Sequence, residues 1–244
     1  VCGPAPNCRS RSCLTSRPVA STTWTRTSDV PGRSKRIVVE GPIGVGKTSL
    51  ARRLAESFES DLLLEGADEN PFLERFYQDP RSGALPAQLF FLLQRARQMQ
   101  DMRQADMFRP VRVADFLIEK DRLFAELVLD AEELRLYEQV YEHVTIDAPV
   151  PDLVIYLQAP EDVLLKRIAK RGIRYERKID AAYLRRLSEA YTRMFHYYEA
   201  APLLIVNAAH IDLVNNDEDF EALLEQIRTP TSGRHYFNPV STVI

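Results

Sequence analysis

Cysteine is almost missing from this chain. The three present among 244 residues are Cys2, Cys8 and Cys13, all near the N-terminus. From Lys35 onward there is none, so no disulfide can hold the body together, which suits a reducing, cytoplasmic setting. Long apolar runs are also missing. None reaches the roughly 18 residues that a membrane helix needs, so no membrane association is expected. Charge of one sign is not in excess: the formal net charge is −3. That leaves no electrostatic footprint for nucleic acid. The four histidines, His143, His196, His210 and His235, have no metal-ligand spacing and read as structural or surface residues. No Asn-Lys-x-Asp segment is present to read guanine, which weakens a GTPase reading. Internal repeats are absent, and 244 residues is a natural size for one α/β domain.

Residues 1–34 differ from the rest. They are rich in Ser, Thr, Arg and Pro, hold the only tryptophan, Trp24, and contain one acid, Asp29. They have no helical or strand periodicity and read as disordered. Three readings compete. An Arg- and Ser-rich, acid-poor composition suits an organelle transit peptide. Clustered cysteines suit a metal site, but no Cys-x-x-Cys pair supports one. A non-biological or mis-started extension is the favoured reading, since the first residue is Val and fold signals begin near Lys35.

What the chain does have is a strand-like Arg36-Ile37-Val38-Val39-Glu40 running into Gly41-Pro42-Ile43-Gly44-Val45-Gly46-Lys47-Thr48. This is G-x-x-x-x-G-K-[ST], the phosphate-cradling loop. Backbone N–H groups from Gly41 through Ser49 and the dipole of the following helix face a nucleoside triphosphate. Lys47 reaches the β/γ-oxygens, and the Thr48 hydroxyl ligates Mg²⁺. A β-branched strand before the loop and an amphipathic segment over 49–58 make a mere glycine turn a poor alternative.

Short apolar segments at 61–65, 110–115, 152–158 and 203–206 alternate with helical patterns. Those patterns lie at 72–77, 83–105, 117–128, 132–145, 160–170, 180–200 and 217–227. Such alternation predicts a parallel sheet covered on both faces.

A phosphate loop fixes the donor and leaves the acceptor open. Five blocks resemble the deoxynucleoside kinases, most closely the bacterial deoxyadenosine and deoxyguanosine kinase branch. They are residues 40–48, Glu65-Gly66-Ala67-Asp68-Glu69-Asn70-Pro71 through Tyr77, Gln88 with Arg95, Asp115 with Phe124-Ala125, and Arg167 through Glu176. The first block alone is generic, whereas its combination with the second and fifth is specific. The resemblance implies an α/β P-loop kinase: three layers, α/β/α, with a five-stranded parallel sheet and a helical lid. The expected division is a kinase domain over 35–229 and a C-terminal tail over 230–244. It also implies ATP and Mg²⁺, a deoxynucleoside acceptor of the purine class, and a homodimer through the long helix.

Residue by residue, Glu65 stands at the end of a strand, where ligands gather in open α/β sheets. There a carboxylate can take the 5′-hydroxyl proton, the role the resemblance assigns it. Asp68 and Glu69 read instead as solvated loop acids. Gln88 and Arg95 lie on one face of the long helix, about 10 Å apart. An amide among Leu89, Phe90 and Phe91 needs partners, and a nucleobase edge or a neighbouring loop would supply them. The resemblance makes Gln88 a base reader, with Arg95 in the same pocket. It makes Phe124 a base-stacking ring, although a helical aromatic is commonly plain core. Tyr77 and Glu176 would hold the sugar 3′-hydroxyl. Asp115 would hold Mg²⁺ directly or through water. Arg167 and Arg171, one turn apart, would clamp transferring phosphate.

The chain departs from the pattern at two places. Asp115-Phe116-Leu117 replaces the usual acid-Arg-Ser or acid-Arg-Thr, removing the arginine that orients the catalytic carboxylate. Lys120 or Arg122 is left to supply the charge. A third lid arginine falls at Ile173, with Arg174 one residue on. Two rivals share the fold. A thymidylate-like monophosphate kinase would need acceptor-site cations where Glu65 stands. A non-catalytic interaction subunit would not need Lys47, Thr48, Glu65 and the lid arginines intact.

Overall fold

The computed structural model describes residues 35–104, 111–145, 149–209, 211–229 and 232–238. The N-terminal segment with its cysteines and Trp24, His210, and the end of the tail lie outside the described residues. The sheet is parallel throughout and has six strands in the order β2-β3-β1-β4-β5-β6. In chain order they are β1 Lys35–Glu40, β2 Asp61–Leu63, β3 Val111–Ala114, β4 Leu153–Gln158, β5 Leu203–Asn207 and β6 Arg234–Phe237. The helices are α1 Lys47–Ser57, α2 Leu73–Gln78, α3 Pro80–Gln104, α4 Lys120–Val128, α5 Ala131–Thr145, α6 Glu161–Arg171, α7 Ala181–His196 and α8 Asp217–Arg228.

The period of two along each central strand assigns side chains to two cores. Val39, Ile155, Leu157, Leu204 and Val206 face one side, with Leu50 and Leu54 of α1, Leu164 of α6 and Leu223 of α8. Val38, Val154, Tyr156, Leu203 and Ile205 face the other, with Leu123 of α4 and Leu187, Tyr191 and Phe195 of α7. These strands are buried on both faces, so they read in sequence as unbroken apolar runs. The result is the three-layer α/β/α arrangement. Helices α2, α3 and α5 extend it through smaller clusters built on Phe76, Phe91, Leu92 and Tyr137.

Two boundaries differ from the sequence pattern. Helix α3 starts at Pro80, three residues before Gly83, because proline is preorganised for a first helical position. Helix α4 starts at Lys120 rather than 117; residues 115–119 form a turn that carries Asp115 and Phe116 over the sheet end. The expected five strands are six. The missed strand, Arg234-His235-Tyr236-Phe237, is mostly exposed and lacks the apolar run of its neighbours. What holds it is not visible in its composition. Backbone pairing sets Leu203 against Arg234, and the Arg234 guanidinium donates to the carbonyls of Phe195 and His196 at the end of α7 (3.0 and 2.8 Å). A cation on terminal helix carbonyls satisfies acceptors that have no helical partner.

Arg234→Ala is expected to lower the melting temperature by about 2–4 °C, the effect of roughly 1 kcal/mol in a chain of this size. Deleting residues 232–244 should lower it further, since Phe237 also packs on the main core. Thermal melts of both variants by circular dichroism check this.

Candidate active site

At the C-terminal end of β1 the chain turns through 41–46 and enters α1 at Lys47. Gly41 has φ +149°, and a Cβ there would lie 2.5 Å from the Leu157 carbonyl oxygen of β4. Glycine therefore lets the loop lie flat on the neighbouring strand. Gly44 and Gly46 also have positive φ, which aims successive loop N–H groups inward. Pro42 is buried behind the loop; Ile43, Val45 and Ser49 line its mouth. The Lys47 ammonium is folded onto the loop, donating to the carbonyls of Gly41 (2.8 Å) and Pro42 (3.3 Å). Burial lowers its pKa, and Lys120 adds to this, against the opposing pull of Glu40, Glu65 and Asp115.

Asp115 stands just past the end of β3. Its Oδ2 accepts from the Thr48 hydroxyl (2.5 Å) and its Oδ1 from the Glu65 backbone N–H (2.8 Å). One carboxylate thus ties the phosphate-loop helix to the segment after β2. The Glu65 side chain meets two cations: Lys120 Nζ donates to Oε2 (2.7 Å), and the Arg95 guanidinium pairs with Oε1. Burial would raise the Glu65 pKa, but Lys120, Arg95 and Lys47 outweigh it and hold the carboxyl well below its ordinary range. Arg122 points away, pairing with Glu126 (3.4 Å) and Glu138 (2.8 Å) on the surface. Of the two cations left open by the missing arginine, Lys120 is therefore the one that reaches Glu65. Phe116 is buried, with its ring 5.8 Å from the Arg95 guanidinium.

A cleft of about 960 Å³ joins the phosphate loop to the acceptor side. Its walls include Lys47, Thr48, Glu65, Tyr77, Gln88, Arg95, Asp115, Phe124, Arg167, Arg171 and Glu176, so the sequence-predicted residues converge there. Gln88 is 4% exposed and its side-chain amide makes no hydrogen bond among the described residues, so it is available to a ligand in the cleft. Phe124 meets Tyr191 edge-on (centroids 6.2 Å apart). Tyr77 stacks on Tyr175 (5.6 Å), whose hydroxyl donates to Asp68 (3.2 Å). Glu69 accepts from Gln94 instead (2.7 Å).

The two lid arginines do not point at one place. Arg167 donates to the carbonyls of Val45 (3.1 Å) and Ala208 (2.8 Å), at the edge of the phosphate loop. Arg171 forms a two-point pair with the Glu176 carboxylate. Helix spacing allows both to face the same phosphates, but the second is paired with the Glu176 carboxylate. Ile173 lines the cleft, whereas Arg174 is exposed and outside it. Among the described residues no cluster of His, Cys, Asp and Glu has metal-binding form.

The sequence model of the deoxynucleoside kinase family matches residues 37–231. This chain belongs to that family. A deoxyguanosine kinase of Bacillus subtilis (strain 168) is 36% identical over 200 residues, spanning 79% of this chain and 95% of the relative. A deoxyadenosine kinase of Lactobacillus acidophilus is 32% identical over 205 residues, spanning 78% and 94%. Among solved structures, deoxyadenosine kinase from M. mycoides with bound dATP superposes with a TM-score of 0.70 at 21% identity, covering 80% of this chain and all of that one. Family membership makes the chain an enzyme that phosphorylates deoxynucleosides.

Sequence reasoning did not single out Asp121, Tyr175, Tyr191 or the buried Glu40. Asp121 is 1% exposed and pairs with Arg95. In sequence, Glu119-Lys120-Asp121-Arg122 looks like a solvated charge run; only the helical period separates the two inward members from Arg122.

The depressed Glu65 pKa has a definite sign in stability. A lowered carboxyl contributes stability above its unfolded value and loses it as pH falls toward the folded one. The melting-temperature difference between the native chain and Glu65→Gln is expected to stay level from pH 8 to about pH 5 and to close below that. Melts of both proteins across pH 3–8 test it.

Proposed function

We propose that this kinase transfers the γ-phosphoryl group of ATP to the 5′-hydroxyl of a purine deoxynucleoside, deoxyadenosine or deoxyguanosine, in nucleotide salvage. The observation that carries this reading is one cleft holding the phosphate-loop Lys47, an ionised Glu65 and an unpartnered Gln88 amide. The names of the relatives support the purine class. The active domain is residues 35–229, working in the cytoplasm, with small molecules as its substrates.

In this reading Glu65 accepts the hydrogen bond, and then the proton, of the 5′-hydroxyl. The 5′-oxygen attacks the γ-phosphorus, the bond to the bridging oxygen breaks, and ADP leaves. Glu65 is held ionised and is thus a weak base, which suits proton transfer late in a loose, positioning-dominated phosphoryl transfer. Lys47 leaves the loop carbonyls for the β/γ-oxygens, and Arg167 sits beside the loop to offset charge. Arg171 joins it on release from Glu176. Gln88 reads the base edge, Arg95 closes the same pocket, Phe124 stacks, and Tyr77 and Glu176 hold the 3′-hydroxyl.

The Thr48 hydroxyl and Asp115 carboxylate, 2.5 Å apart beside the loop, are hard oxygen donors that fit Mg²⁺. Bound there, the ion would neutralise phosphate charge. A homodimer is part of the proposal: α3 and its neighbour α5 expose Leu93 and Leu136, each about half accessible.

Glu65→Gln is expected to lower kcat by roughly 10²–10⁴-fold, with a much smaller change in deoxynucleoside binding. Deoxyadenosine or deoxyguanosine should be phosphorylated with ATP and Mg²⁺, and thymidylate should not, since Glu65 repels an incoming dianion. Glu176→Ala should narrow the gap between a deoxynucleoside and its 3′-deoxy analogue. Steady-state kinetics over a panel of deoxynucleosides and monophosphates decide this; preference for any monophosphate would overturn the acceptor assignment.

A further inference from the structure

We propose that Lys120 is a positioning residue that registers Glu65 against the phosphate loop, through one buried ammonium shared between Glu65 and Glu40. This rests on the reading of Glu65 as the group that faces the 5′-hydroxyl.

The argument starts from what is anchored and what is not. Glu40 is the last residue of β1, adjacent to Gly41, and is fully buried. Its Oε1 accepts from the Gly41 N–H (3.0 Å) and the Tyr191 hydroxyl (2.9 Å), and its Oε2 from the Leu117 N–H (2.9 Å). A carboxylate with three such donors is a fixed point, and it is covalently joined to the phosphate loop. Glu65 is the opposite case. It follows a strand of only three residues, precedes Gly66 at φ +61°, and has a 21% exposed side chain. Among the described residues its backbone makes one hydrogen bond, to Asp115, so side-chain contacts set where the carboxylate points.

Lys120 spans the two. It opens α4, its own N–H bonds the Leu117 carbonyl (3.3 Å), and its side chain is 2% exposed. The ammonium lies 2.7 Å from Glu65 Oε2 and 3.6 Å from Glu40 Oε2. A lysine head group has three donors and no acceptor, so it can serve both carboxylates at once. The second restraint on Glu65, Arg95, is itself held by Asp121, the next residue of α4. The first turn of α4 thus sets both cations that meet Glu65. Phe116, pointing into the core, contributes no charge to it.

A lysine that only neutralised buried carboxylates would affect folding and leave the turnover of folded enzyme alone. A positioning lysine lowers kcat far more than it changes KM, since a shift of about 1 Å in a reacting group can cost roughly 10²-fold. The test uses the full chain with ATP, Mg²⁺ and deoxyadenosine or deoxyguanosine, comparing Lys120→Met, Lys120→Arg and Glu65→Gln. Lys120→Met is expected to lose about 100-fold in kcat, with deoxynucleoside KM within about threefold. Lys120→Arg should recover at least about tenfold of that loss, because it restores a cation beside Glu65. Folded Lys120→Met with native kcat, a loss confined to KM, or folded Lys120→Arg as slow as Lys120→Met overturns the proposal. Should Lys120→Met not fold, the double variant Glu40→Gln/Lys120→Met, which removes one charge of each sign, is expected to give the same loss, and native kcat there overturns the proposal. If that also fails to fold, Lys120→Arg decides alone. Within about tenfold of native kcat it supports the proposal, and folded but slowed about 100-fold it overturns it. Full turnover in Glu65→Gln would overturn the reading of Glu65 instead.

Discussion

Burying ionised groups beside a phosphate site is the constraint on which this molecule turns. Glu40, Arg95, Asp115, Lys120 and Asp121 are each 4% exposed or less, and Lys47 and Glu65 border them. Each ion taken from water costs several kcal/mol unless others compensate it. Here compensation is mutual: Lys120 serves Glu65 and Glu40, Arg95 serves Glu65 and Asp121, and Asp115 gathers Thr48 and the Glu65 backbone. Removing Lys120 or Arg95 would take from a buried carboxylate, Glu40 or Asp121, the cation paired with it. The parallel sheet makes this possible, because β1, β2 and β3 all deliver their C-terminal ends to one edge of the layer.

That edge also explains how far the sequence could be read. The phosphate loop was legible because its chemistry is contiguous: strand, glycines, lysine, hydroxyl and helix follow one another in the chain. Glu65 and Asp115 were legible as acids at the ends of apolar segments. The central strands were legible because burial on both faces leaves nothing polar in them. The charge network was not, since Lys120 and Asp121 acquire their meaning from a helix start that the apolar pattern placed three residues too early. The sixth strand escaped for a related reason. An edge strand is held by backbone pairing and by Arg234 on the end of α7, neither of which imposes an apolar period.

The lid shows where spacing and geometry part. Arg167 and Arg171 share a helix face, yet one bonds loop carbonyls and the other a carboxylate. Both cations find their partners within the protein. On the proposed reading, phosphate binding would exchange a carbonyl or carboxylate for a phosphate oxygen. Such an exchange is between charge-assisted hydrogen bonds of comparable strength, so moving either arginine costs less than desolvating a free one. On the proposed reading, freeing Arg171 would also free the Glu176 carboxylate for the sugar.

The acceptor pocket follows the opposite logic. Gln88 is buried, and no partner among the described residues meets it. Phe76, Phe91 and Phe124 share the same cleft and have no polar edge to offer it. Its amide opens onto the cleft. On the proposed reading, a ligand with both a donor and an acceptor on one flat face would pair with that amide while covering the aromatic walls. A nucleobase has that form. The phosphate side of the cleft is thus satisfied within the protein and trades partners on binding. On the proposed reading the nucleobase pairs on the other side, and binding selectivity accumulates where groups stay unpaired without the correct ligand.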